Sequence, residues 1–257
     1  MKELKINSSR VKGKLIDFIQ KSVRSSGFKR VVLGLSGGLD SSTVACLSAR
    51  ALGPKNVIGI IMPYKTTQKR DIIDAKKLSK TLGIQIEYID ISNMVDAYFK
   101  KIDLKDNLRR GNKMARERMS ILYDHSKECN ALVIGTGNKT EILLGYGTMH
   151  GDMACAINPL GELYKTQVIQ LAKSLKVPAS VINKPPSAGF WKGQTDENEL
   201  GFKYKDIDRL LYYLIDKKYT MSQLLKKGFD VNFICSIKEK IKNNTFKSKL
   251  PKIAKLT

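Results

Sequence analysis

The amino-acid sequence predicts an α/β fold, doubly wound, with a mostly parallel sheet and helices on both faces. Three observations predict it. Residues 31–35 and 57–62 are short apolar runs without polar alternation, as in strands buried on both faces. Segments of helical periodicity separate such runs, so strand and helix alternate through the first half of the chain. The first run ends in Ser36-Gly37-Gly38 and opens into a helical pattern at Asp40, Ser41 and Ser42. In open parallel sheets such strand–helix turns carry the ligand.

The elements follow in order. Residues 8–26 read as an amphipathic helix with Val11, Leu15, Phe18, Ile19 and Val23 on one face. Strand 31–35 is followed by helix 41–52, strand 57–62 by helix 69–82, and strand 84–90 by a helical stretch at 94–101. A long helix is expected over 111–127, then a strand at 131–135. Beyond Thr136 the pattern loosens, with helices expected at 166–175, 204–216, 221–226 and 231–242. Residues 185–196 form a long polar loop with Gly189 and Gly193, of the kind that acts as a lid. No domain boundary, repeat or low-complexity tract interrupts residues 1–257, so a single domain is expected.

Composition narrows the function classes. At 257 residues and 42% hydrophobic content the chain buries a sizeable core and is not a disordered chain. It has no apolar run long enough to span a bilayer, and its start lacks the apolar core of a signal peptide, so a cytoplasmic protein without membrane partners is expected. Cys46, Cys129, Cys155 and Cys235 lie far apart, and His125 and His150 are the only histidines, so a zinc site is not expected. Cys46 and Cys129 are expected to pack as small apolar residues on helices. His150 is read as structural or surface. The net charge of +22, from 46 Lys+Arg against 24 Asp+Glu, admits nucleic acid or polyanionic nucleotides as partners. Base-stacking aromatics are sparse in the lysine-rich C-terminal part, so no specific nucleic acid is expected.

The turn after strand 31–35 suits phosphate. Gly37 and Gly38 let the backbone approach a ligand, and a helix N-terminus offers N–H groups and partial positive charge. Ser36, Ser41 and Ser42 add hydroxyls, and Asp40 is a candidate ligand for a magnesium ion that bridges phosphates. The turn is neither a Walker-type loop, lacking Gly-Lys-Ser/Thr, nor a Gly-x-Gly-x-x-Gly dinucleotide fingerprint. Ser-Gly-Gly-x-Asp-Ser resembles the pyrophosphate loop of the ATP pyrophosphatases, which have an adenine nucleotide alpha hydrolase-like fold. The alternative is an ordinary strand–helix turn in which Asp40 only caps a helix.

A second constellation extends the resemblance. It comprises Gly135-Thr136-Gly137-Asn138-Lys139-Thr140-Glu141, Gly145 to Asp152, Pro159 to Val168, and Gly193 to Gly201. With the first loop these segments resemble ammonia-dependent NAD synthetase, in consistent order over about residues 14–216. The resemblance implies that ATP, ammonia and nicotinic acid adenine dinucleotide are the substrates and that magnesium is the cofactor. An acyl adenylate forms with release of pyrophosphate, and ammonia then yields NAD and AMP. It implies ATP contacts at Gly34, Leu35, Ser36, Gly37, Gly38, Leu39, Asp40 and Ser41, at Thr136, at Lys165, and at Ser187, a position usually threonine. Asp40 and Glu141 match the magnesium ligands, and with Lys165 they form the implied catalytic set. Arg116 matches the arginine that meets the dinucleotide, with Asn112, Arg118 and Tyr123 at neighbouring positions. Asp152 and Lys247 are further dinucleotide candidates.

Two positions depart from the family pattern. Ala156 stands where an aspartate is frequent, and Phe246 where a histidine is expected before Lys247. Glutamine-using relatives carry a large amidase domain. None is expected here, so the ammonia is expected to be free or to come from a separate glutaminase. The resemblance also implies a homodimer. The competing readings are a tRNA-modifying ATP pyrophosphatase, favoured by the charge but lacking Cys-x-x-Cys and an RNA-binding domain, and a non-catalytic nucleotide or RNA binder.

Overall fold

The computed structural model describes residues 2–100, 102, 106–191 and 193–255. Lys101, the expected end of one helix, and Lys192, within the expected lid, lie outside the described residues. Asn7 accepts from the N–H of Arg10 and starts α1 (Ser8–Ser25), whose Ile19 and Val23 are buried. The alternating part then runs β1 (Arg30–Gly34), α2 (Leu39–Leu52), β2 (Val57–Ile61), α3 (Lys69–Leu82), β3 (Gln85–Tyr88), α4 (Ser92–Phe99), α5 (Asn107–Glu128) and β4 (Ala131–Val133). The rest is helical: α6 (Lys139–Leu144), α7 (Lys165–Ser174), α8 (Ala179–Ile182), α9 (Asp196–Leu200), α10 (Tyr204–Leu211), α11 (Met221–Lys226) and α12 (Val231–Asn244). A π-helical turn, Tyr212–Asp216, continues α10, so the expected helix 204–216 has two geometries.

All four strands are parallel in the order β3-β2-β1-β4, with Val31 opposite both Val57 and Leu132. Strand side chains alternate between faces. Val31, Leu33 and Leu35 enter a core shared with α1, α2 and α7. Val32, Ile58 and Ile60 enter a second core with Ile91, Val95 and Met114 from the α4–α5 side. Both faces are therefore covered, which is why these runs carry no polar alternation. A third cluster joins α10, α11 and α12 to Leu4, Leu144 and Tyr164.

Element bounds differ from expectation where local signals are weak. α5 begins at Asn107 rather than 111 because Asp106 accepts from the N–H groups of Leu108 and Arg109. That first turn has no apolar periodicity, and Leu108 is 61% exposed. The expected strand 84–90 contracts to β3, an edge strand. Ladder pairing on the outer side of β4 passes to a single bridge between Ile134 and Ile157. The helices α6, α8 and α9, of 6, 4 and 5 residues, were not expected.

Candidate active site

Strand order reverses on either side of β1, since β2 and β3 extend one way and β4 the other. The crevice beyond the carboxyl ends of β1 and β4 is therefore the topological switch point, where open α/β sheets bind ligands. The loop after β1 and the segment after β4 both open there.

The loop after β1 is built on a glycine. Gly37 has φ +75°, and a Cβ on it would stand 2.1 Å from the carbonyl oxygen of Asp71 in α3. No larger residue fits. Gly38 caps α2 without a side-chain bond. Ser36 Oγ accepts from the Gly38 N–H at 3.2 Å and shares a hydrogen bond with Ser41 Oγ at 2.9 Å. Leu35 is buried in the core and Leu39 packs against it, so these two residues and Gly34 offer backbone rather than side chains.

Three candidate residues from distant segments converge. Asp40, in the first turn of α2, and Glu141, in the first turn of α6, flank Lys165 at the start of α7. Lys165 Nζ lies 2.5 Å from Asp40 Oδ2 and 3.2 Å from Glu141 Oε1. Side-chain exposure is 4% for Lys165, 17% for Asp40 and 19% for Glu141, so the charges meet largely out of water. Burial, and then the neighbouring Asp40, push the Glu141 carboxyl up against the opposing pull of Lys165. Burial pulls the Lys165 ammonium down, but Asp40 and Glu141 outweigh it and hold the proton.

Residues the sequence reading left unassigned build this geometry. Asn138 is fully buried and forms a capping box with Glu141, and its Nδ2 donates to Asp40 Oδ1 at 3.1 Å. Asn138-x-x-Glu141 was readable as a helix start. Asp208, also fully buried, accepts from the Thr140 hydroxyl at 2.6 Å and from the Thr166 N–H at 2.8 Å. It thereby locks the starts of α6 and α7 together and sets Glu141 against Lys165. The Lys165 ammonium also lies 5.3 Å from the centre of the Tyr204 ring. Asp196, 4% exposed, accepts from the hydroxyls of Tyr204 at 3.0 Å and Tyr146 at 3.1 Å. Nothing in spacing alone marks Asp196 or Asp208, because their partners come from other elements.

A cleft of 390 Å³ runs from Glu141 past Tyr146, Asp152 and Asn158 to Lys247. Of the dinucleotide candidates, Asp152 and Lys247 line it. Asn112 Oδ1 accepts from the Thr148 hydroxyl at 2.7 Å, and Asp152 accepts from the Thr148 N–H at 2.6 Å. Arg118 donates to the Met62 carbonyl at 3.0 Å; burial pushes its guanidinium down to about 10, and Asp152 opposes the shift. Arg116 is exposed and donates to the Met149 carbonyl at 3.3 Å. Lys247 donates to the carbonyls of Gly145 at 2.8 Å and Gly147 at 3.3 Å, latching the chain after α12 onto the turn after α6. Tyr123 lies on α5, 42% exposed. Thr136 is half-buried just beyond β4, and Ser187 is exposed at the start of the 185–196 loop, where it accepts from the Gly189 N–H. His150 is exposed at φ +57°. Ala156 donates its N–H to the Val133 carbonyl, and Phe246 is 58% exposed.

The donor set fits magnesium. Among the described residues no three His, Cys, Asp or Glu side chains gather tightly enough to hold a metal alone. Two carboxylates that complete their shell with substrate phosphates are the usual magnesium arrangement.

Comparison with known proteins accords with this geometry. The family model described as NAD synthase matches residues 11–251. The NH(3)-dependent NAD(+) synthetase of Trichlorobacter lovleyi is 50% identical over all of this chain and 94% of its own. That of Fusobacterium nucleatum is 46% identical over all of this chain and 99% of its own. Among solved structures, the NH3-dependent NAD synthetase of Campylobacter jejuni, described in complex with the nitrate ion, superposes with a TM-score of 0.84 at 38% identity, covering 98% of this chain and 100% of that one. An NMN synthetase from Francisella tularensis gives a TM-score of 0.85 at 33% identity, covering 97% of this chain and 99% of that one. The glycine loop at the switch point, the Asp40–Lys165–Glu141 convergence and these full-length likenesses agree: this chain belongs to the NAD synthase family.

Proposed function

We propose that the protein is an ammonia-dependent NAD synthetase, a ligase that amidates nicotinic acid adenine dinucleotide at the expense of ATP. The observation that carries this reading is one ammonium held between two carboxylates beside a glycine phosphate loop. In the first half-reaction the nicotinate carboxylate oxygen bonds to the α-phosphorus of ATP. The bond from that phosphorus to the bridging oxygen breaks, and pyrophosphate leaves. In the second, the ammonia nitrogen bonds to the acyl carbon, loses a proton, and AMP departs with the oxygen.

Each half-reaction places charge on phosphate oxygens. The loop from Gly34 to Ser41 supplies N–H and hydroxyl donors to them, and Lys165 supplies a fixed cation in a site sheltered from water. Asp40 and Glu141 would hold magnesium, which when bound neutralises phosphate charge and orients the leaving pyrophosphate. We assign Thr136, just beyond β4, and Ser187, in the 185–196 loop, as further ATP contacts. Asp152 and Lys247 line the adjoining cleft, and with Asn112, Arg116, Arg118 and Tyr123 we assign them to the dinucleotide. The loop at 185–196 excludes water that would hydrolyse the acyl adenylate. We read the protein as a cytoplasmic homodimer served by free ammonia or a separate glutaminase. No helix among the described residues is long and apolar enough to cross a membrane.

The test is incubation with ATP, magnesium, ammonium and nicotinic acid adenine dinucleotide, with NAD and AMP both quantified. Equal yields are expected. The Francisella relative is named for NMN, so nicotinic acid mononucleotide is run in parallel, and the dinucleotide is expected to be preferred. No AMP release with either nucleotide refutes the reading, and AMP release only with tRNA would install the modification enzyme in its place.

A further inference from the structure

Three segments far apart in sequence meet at one ammonium group outside the catalytic convergence. Lys184 follows α8 and opens the loop that carries Ser187. Its Nζ donates to the carbonyl oxygen of Gly37 at 3.1 Å and pairs with Asp71 at 2.6 Å and Asp74 at 3.0 Å. Side-chain exposure is 18% for Lys184, 21% for Asp71 and 7% for Asp74, so the pairing is largely withdrawn from water. The second oxygen of Asp74 accepts from the Ser180 hydroxyl at 3.0 Å, which ties α3 to α8. Asp71 is also the residue whose backbone carbonyl abuts Gly37. α3 thus props the phosphate loop, and Lys184 grips the same peptide.

The grip fixes a direction. A trans peptide is planar, and its C=O and N–H point opposite ways. With the Gly37 carbonyl drawn to Lys184, the Gly38 N–H turns back into the loop, where it reaches Ser36 Oγ. A Gly-Gly peptide free of such a hold has several accessible orientations, because glycine takes either sign of φ. A donor that can turn away stabilises phosphate charge less than one already aimed.

We propose that Lys184 is a positioning residue for the pyrophosphate loop. It holds the Gly37–Gly38 peptide with its N–H turned into the phosphate cradle. It does so from the root of the 185–196 loop, so cradle and loop order together. The proposal rests on the reading of residues 34–41 as the ATP loop.

The experiment compares Lys184→Met, Lys184→Gln and Lys184→Arg with Ser36→Ala, which reports on the loop itself. Each is assayed for kcat and for KM toward ATP, dinucleotide and ammonium, with Tm measured alongside. Loss of a hydrogen bond from a charged donor predicts that Lys184→Met raises KM for ATP about tenfold. kcat falls as well, KM for ammonium stays within about twofold, and Lys184→Arg recovers part of the ATP effect. Should Lys184→Met fail to fold, Lys184→Gln, which keeps a neutral donor, is expected to show the same split in weaker form. A folded variant with ATP kinetics unchanged, or with all KM values drifting together as Tm falls, overturns the proposal. If Ser36→Ala shifts KM for ATP while Lys184→Met does not, the Lys184 role alone falls. If neither variant shifts it, the ATP-loop reading falls with it.

Discussion

Lys165 faces Asp40 and Glu141 on two sides, so two carboxylates hold one ammonium. Each member removed should fail in its own way. Asp40→Asn and Glu141→Gln leave the pairing weakened but the volume unchanged, so the fold should survive. Turnover should fall about 100-fold or more, the scale of losing one preorganised charge contact. Near-normal kcat in both variants at ordinary magnesium would sink the metal assignment. Lys165→Met is the harsher change, because it leaves two carboxylates facing each other at a buried site. Breaking one side of a buried ion pair costs about 3–5 kcal/mol, and urea unfolding should register a loss of that size. A smaller loss for Lys165→Met than for Asp40→Asn would contradict the geometry.

Two elements carry tests of their own. α5 is pinned to β3 through His125, whose Nε2 lies 2.9 Å from Glu87 and whose Nδ1 lies 2.9 Å from the Ile121 carbonyl. Burial alone lowers the imidazole pKa, but the Ile121 carbonyl and Glu87 outweigh it, so the net shift is upward. A raised folded-state pKa means the contribution is complete below the unfolded value of about 6.5 and fades as pH rises through the folded one. The stability gap between wild type and His125→Leu should therefore be larger at pH 5.5 than at pH 8.5. Glu87 is about one-third exposed, which keeps the electrostatic part of the gap under about 1 kcal/mol. A gap that widens with pH would reverse the assignment. The second element is the loop at 185–196. Phe190 seats its ring against Gly111 of α5, where a Cβ would stand 2.4 Å from it, and the Thr66 hydroxyl donates to the Phe190 carbonyl. This seat packs the loop against the body, and on the proposed lid reading it is the closed position. Trp191 adjoins it and is the one tryptophan of the chain. Its fluorescence should change when ATP, magnesium and the dinucleotide are added together, and protease nicking of the loop should slow. Unchanged emission and cleavage would mean that packing of Phe190 and Trp191 holds the loop fixed, and would end the lid reading.

At the scale of the molecule, the charge of +22 governs encounters rather than recognition. Binding to nucleic acid should be weak, indifferent to sequence and lost as salt rises. Strong preference for one tRNA at physiological salt would revive the modification reading. The architecture was legible in the sequence because uninterrupted runs such as 31–35 record burial on both faces, and because the Ser-Gly-Gly turn marks the strand–helix corner at the switch point. Asp40, Glu141 and Lys165 were legible through motif resemblance, and the structure brings them together. Asp208, Asp196 and Lys184 were not, since each acquires its role from partners at least eight residues away in sequence and most often far more. Nor was α6, a six-residue helix hidden in a glycine-rich stretch, although its capping box was written at Asn138 and Glu141.

Lys165 already lies dehydrated between Asp40 and Glu141, so on the reading proposed here the arrival of a triphosphate is an ion exchange. The ammonium trades carboxylate oxygens for phosphate oxygens of like charge, and the carboxylates are released to another cation. Withdrawal of these three groups from water is largely made when the chain folds, before substrate binds. Between turnovers the protein thus acts as its own counterion.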